Sequence, residues 1–165
     1  MSRSSDRIAA GAAAFLCAAA LGWAVVLPLA PMSIAAAPDV AWVPYAIGRL
    51  VCHQQPDRSF ATAGVQWPVC GRCAGLYLSG ALGILAVLAV PGLVKPALAA
   101  ADLWRAVFVA AALPTVVSWG AERFDWWSFS SATRALLALP LGLTTGALVA
   151  SIARPGGSGR SGNLR

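Results

Sequence analysis

The chain is short of charge and of acid–base groups: only 11% of its 165 residues are charged, and it holds a single histidine. A water-facing surface normally needs about a quarter of its residues charged, so a soluble globular domain is excluded. Acidic residues number six against twelve lysines and arginines. The net charge of +6 comes largely from cations flanking apolar runs, so it gives no ground for a nucleic-acid partner. A nucleophile elbow and a visible oxyanion hole are also missing. His53, Asp57 and Ser59 are near neighbours in sequence and do not make a hydrolytic triad.

Apolar length is what the chain has instead, with 59% of its residues hydrophobic. A helix crosses the hydrocarbon layer in about 20 apolar residues, and the sequence offers four such runs, near 8–29, 74–94, 103–120 and 132–152. The expectation is an all-α membrane protein, one integral domain over 1–165, with about four transmembrane helices. Arg3 and Arg7 precede the first run and SIAAA follows it, as in a signal peptide, but the run is longer than the usual core of about 7 to 15 residues. Cys17 follows Leu16 within that run, which does not suit a lipoprotein signal, and reads as a small hydrophobe. Pro91, Gly92 and Pro96 in PGLVKP stop the second run. Pro114 and Pro140 fall inside the third and fourth, where membrane helices tolerate them. The Gly- and Ser-rich tail, 153–165, is expected to be disordered.

Cations near the span ends set orientation. An inside N-terminus puts Arg3, Arg7, Lys95, Arg105, Arg154, Arg160 and Arg165 inside, against Arg49, Arg58, Arg72, Arg123 and Arg134 outside. The expected place is a bacterial plasma membrane, multi-pass, with both termini cytoplasmic and the segment from Ala30 to Cys73 an outer loop. Trp42, Trp67, Trp126 and Trp127 then lie at the outer interface and Trp104 at the inner one, while Trp23 sits within a span. The lipid bilayer is the implied partner, with a membrane protein or a second copy of the chain beside it. Gly71, Gly75, Ser79 and Gly83 recur every four residues, as do Gly142, Gly146 and Ala150, so the second and fourth helices are expected to pack closely.

Chemistry concentrates in VCHQQPDRSFATAGVQWPVCGRCAG, which holds three of the four cysteines and the histidine. Cys70 and Cys73 form a C-x-x-C after Pro68 and open a helix, where the dipole and Arg72 both favour thiolates. Pro56 and Asp57 suit the centre of a type I turn, and a second loosening at Thr62 to Gly64 allows Cys52 and His53 to return over that helix mouth. Cys52, His53, Cys70 and Cys73 make a Cys3His set fit for a zinc-like divalent ion; no other cofactor is indicated. Adjacent residues on extended backbone point apart, so His53 shares the ion with Cys52 only if that step bends. Two alternatives stand beside the metal. The C-x-x-C can act as a membrane thiol–disulfide oxidoreductase, although a relay needs two cysteine pairs. The motif can also merely stiffen a structural or assembly subunit through a disulfide. Arg134, early in the fourth helix after Ser131 as N-cap, opposes the helix dipole and calls for a partner, Glu122 or the cysteines.

The pieces CHQQPDRSF and PVCGRCAGLYLSG, with SSATRALLALPLG further on, resemble the bacterial and archaeal membrane family known as domain of unknown function 2085. The resemblance runs from about Cys52 to Gly146. It implies a membrane protein without a settled activity, and it maps Cys52, His53, Arg58, Ser59, Cys70, Arg72, Cys73, Gly75 and Tyr77 onto the family motif. Family members tend to carry an Asp in the third span, after a proline like Pro114; this chain has Ser118 and then Glu122 there.

Overall fold

Uninterrupted alanine, leucine and valine wind into four long helices in the computed structural model, which describes residues 3–90, Leu93 and 101–153. They are α1 (Arg3–Ala36), α3 (Gly71–Ala89), α4 (Ala101–Arg123) and α5 (Ser131–Ala153); between α1 and α3 lie a shorter helix, α2 (Pro38–Val51), and a hairpin of β1 (Ser59–Thr62) and β2 (Val65–Cys70). Each long helix has an apolar stretch able to cross a bilayer: Arg7–Ile34, Gly71–Ala89, Asp102–Arg123 and Ser131–Ala153. The 19 residues of α3 rise about 28 Å, close to the thickness of the hydrocarbon layer. Leu82, Leu113, Val117 and Leu136 are each more than half exposed, as side chains that face lipid are. The protein is an all-α, multi-pass membrane protein with one small hairpin.

The core is a close pairing of α3 and α5. A side-chain carbon added at Gly75 would meet the Ala135 backbone, at Gly83 the Leu143 backbone, and at Gly146 the Gly80 backbone. Ser79 and Ala150 are fully buried on the same faces. The small-residue rows therefore let two backbones touch, as their four-residue spacing predicts. α1 lies against both helices, with Cys17 in a cluster with Ile84, Val87, Ala147 and Ala150.

Two boundaries differ from the sequence reading. α1 continues past Leu29 to Ala36 with Pro28 and Pro31 inside it, and stops at Ala37, whose φ of −149° and ψ of 70° precede Pro38 at the start of α2. The second run also starts earlier than 74: α3 begins at Gly71 and takes Arg72 and Cys73 into its first turn, in keeping with a C-x-x-C that opens a helix. The segment expected as an outer loop from Ala30 to Cys73 thus holds the end of α1, all of α2, a 3-10 turn over Pro56–Arg58 and the hairpin. That 3-10 turn closes with Arg58 N–H donating to the Gln55 carbonyl at 3.1 Å, the place expected for a turn. The PGLVKP stop and the tail beyond Ala153 lie outside the described residues.

Candidate functional site

The site forms where α3 begins, α4 ends and α5 begins, under the lid made by α2's end and the hairpin. Cys52 follows α2 in extended backbone, φ −147° and ψ 140°, and turns its side chain inward, where it is buried. Cys70 ends β2 and is the N-cap of α3; Cys73 is in that helix's first turn. The three sulfur atoms lie within 4.8 Å of one another. A tetrahedral ion with Zn–S bonds of about 2.3 Å needs sulfurs about 3.8 Å apart, so closure asks for a shift of about 1 Å at most.

Local electrostatics favour the thiolate form at Cys52. The Cys70 backbone N–H donates to the Cys52 sulfur at 3.2 Å. Hydrogen bonds from the Cys70 thiol, and then from Cys73, hold the Cys52 thiol far below its ordinary range, against the effect of burial. Beneath the sulfurs, Leu27, Val69 and Ala74 form a dry floor with Trp23 and Tyr77 packed against it. The Trp23 and Tyr77 rings meet edge to face at 6.2 Å.

Of the four residues expected to ligate a metal, the structure brings together Cys52, Cys70 and Cys73. His53 stays outside their set: the extended backbone at Cys52 sends the next side chain the other way, and His53 is exposed on the wall of the adjoining cavity. Ser59 pairs with Cys70 across the hairpin ladder. Its hydroxyl donates to the Gln55 carbonyl at 2.8 Å, and its own carbonyl accepts from Ser131 at 3.2 Å, tying the hairpin to α5. Ser131 is therefore not the N-cap of α5; the Ser130 hydroxyl is, accepting from the Thr133 N–H at 3.1 Å.

Arg134 finds its partner in Glu122. Its Nε donates to Glu122 Oε1 at 2.6 Å, and Arg72 donates from the other side to Oε2 at 2.7 Å. Arg72 also reaches the Ser118 hydroxyl at 3.4 Å. One carboxylate from α4 thus joins α3 and α5 in a nearly dry ion triad. Arg58 sits on the cavity rim, 3.7 Å from exposed Asp57.

Sequence reasoning missed the residues that shape the lid. Gln54 adopts a left-handed φ of 50° and donates to the Tyr45 and Pro68 carbonyls, both at 2.7 Å, while Gln66 donates back to the Gln54 carbonyl at 2.7 Å. Gly48 on α2 faces the Pro68 carbonyl, where a larger side chain would push the helix off β2. The pair of glutamines in CHQQ, set beside a turn, was the available signal.

A family model described as "Predicted membrane protein (DUF2085)" matches residues 52–148, more than half of the chain. The chain belongs to the DUF2085 family. The matched region starts at Cys52 and takes in the whole sulfur cluster and the arginine–glutamate triad. Shorter likenesses join this DUF2085 protein to two archaeal proteins called uncharacterized. One, from Methanothermobacter thermautotrophicus, is 40% identical over 43 residues, 26% of this chain and 39% of the relative. The other, from Methanocaldococcus jannaschii, is 44% identical over 41 residues, 25% of this chain and 26% of the relative. The chain thus spans well under half the length of these relatives. No solved structure matches it.

Proposed function

We propose that this DUF2085 protein holds one zinc-like divalent ion on Cys52, Cys70 and Cys73, and that the ion locks the lid of α2 and the hairpin onto the mouth of α3. The observation carrying this is the convergence of three sulfurs, from three different points of the chain, within 4.8 Å. The donor set fits the ion: thiolates are favoured at a helix start and by the Cys70 N–H, and a dry floor excludes competing water. The fourth position opens on the cavity, with His53 on its wall and not among the ligands. Three protein ligands and one open position suit a centre that takes a further ligand.

A disulfide relay is less well supported. Its second cysteine pair would need Cys17, which is buried among Ile84, Val87, Ala147 and Ala150, apart from the other three. In the cell we place the protein in the bacterial inner membrane, with both termini cytoplasmic and the lid outside.

Single-site variants test the ligand set. Cys70→Ser and Cys73→Ser each abolish stoichiometric metal in protein purified in mild detergent, whereas His53→Ala retains about one ion per chain. Metal retained by both serine variants, or lost from His53→Ala, contradicts the three-sulfur assignment. Because protons compete for thiolates, the ion is released as pH falls.

A further inference from the structure

A cavity of about 400 Å³ opens on the three sulfurs; its lining among the described residues also includes Arg58, Arg72, Arg134, His53 and Trp119, and no carboxylate. Glu122 stands behind two of these arginines. Three guanidiniums less that one carboxylate leave a formal +2, and a metal-loaded cluster of three thiolates, at −1, still leaves +1. Asp57, 3.7 Å from Arg58, is exposed, so solvent screens it; Asp125, which shares an adjoining pocket with Arg58 and Arg72, is exposed as well.

Donors in this cavity are in surplus. Among the described residues, Arg58 Nε, Arg72 Nε and Arg134 Nη1 are buried and lack a hydrogen-bond partner. Arg134 is 4% exposed, so its free N–H cannot turn to bulk water. A buried donor left unpaired is costly, and three from separate elements around one cavity are the complement of an acceptor-rich ligand. The Glu122 bonds hold Arg72 and Arg134 in place before any ligand arrives.

We propose that this cavity binds a phosphate group. Arg134 and Arg72 present charged N–H groups to its oxygens from the helix starts and Arg58 closes over them from the lid. The site sits at the end of the helix bundle, level with the start of α3 and α5, where the phosphates of a bilayer also lie. The phosphate therefore has two sources, a free anion or a lipid headgroup. The assignment stands on the arginines and rests, for its net positive charge, on the sulfurs holding the ion proposed above.

The experiment uses the full chain, delipidated in a neutral detergent. Its melting temperature is followed against inorganic phosphate, with chloride at equal ionic strength as control, and against phosphatidylglycerol, with diacylglycerol as control. A saturable rise with phosphate assigns a free anion; a rise with phosphatidylglycerol alone assigns a headgroup. Arg58→Gln, at a half-exposed rim position that leaves the triad intact, weakens the affinity about tenfold in either case. Arg134→Lys, which keeps charge but loses the fork, weakens it further; should that variant fail to fold, Arg58→Gln carries the test. Stabilisation by neither probe, or unchanged affinity in Arg58→Gln, overturns the proposal and leaves the arginines as counter-charges to the thiolates.

Discussion

Glu122 shows how much one residue can carry here. Among the described residues its carboxylate is the only one within hydrogen-bond reach of Arg72 and Arg134, and all three side chains are largely buried. Glu122→Gln leaves two buried cations uncompensated, so it should cost about 3 to 5 kcal/mol, read as a lower melting temperature in detergent. An unchanged melting temperature would mean that water or the thiolates already balance the arginines. At this scale the sequence was informative but incomplete. A C-x-x-C after proline marked the two cysteines of α3, and an early-turn arginine demanded a partner, because both rest on the helix dipole, which acts locally. Whether His53 joins Cys52 turns on an equally local matter, the bend of one step, and the extended backbone at Cys52 does not supply it.

Helices were the most legible elements, since apolar length and small-residue spacing are properties of a single segment. The α3–α5 contact tests that reading. Gly146→Leu drives a side chain into the Gly80 backbone and should destabilise the bundle by about 1 to 3 kcal/mol, seen as a lower melting temperature. No change would remove the close contact from the account. The lid was not legible, because α2 and the hairpin are shaped by tertiary contacts. Ala63 and Gly64, with φ of 52° and 78°, make a two-residue turn of the primed kind, yet Ala-Gly is a weak signal beside Asn-Gly. α2 docks through Gly48 against the Pro68 carbonyl, the Tyr45 hydroxyl donating to the Gln66 carbonyl and the Gln54 amide donating to the Tyr45 carbonyl, contacts between residues up to 21 positions apart. α1 runs beyond the expected Leu29 with Pro28 and Pro31 inside it, because a membrane helix absorbs them.

Across the whole molecule, the four candidate spans fit the proposed topology, in which Arg3 and Ala153 lie on one side and the sulfurs, arginines and lid on the other. The proposed orientation predicts that a green fluorescent protein fused to the C-terminus fluoresces in cells while an alkaline phosphatase fused there is inactive. The opposite pattern would put the lid in the cytoplasm. Composition alone made the membrane setting plain, whereas the meeting of Cys52 with Cys70 and Cys73 depends on a fold that returns the chain across 18 residues. The central claim is that these three sulfurs share an ion, and metal and a Cys70–Cys73 disulfide are mutually exclusive because the disulfide removes two ligands. Native mass spectrometry of the untreated protein, followed by thiol counting on the same sample after chelation and unfolding, tests this most directly. The account predicts one divalent ion per chain and four free thiols; a metal-free chain with Cys70 and Cys73 oxidised to a disulfide would contradict it.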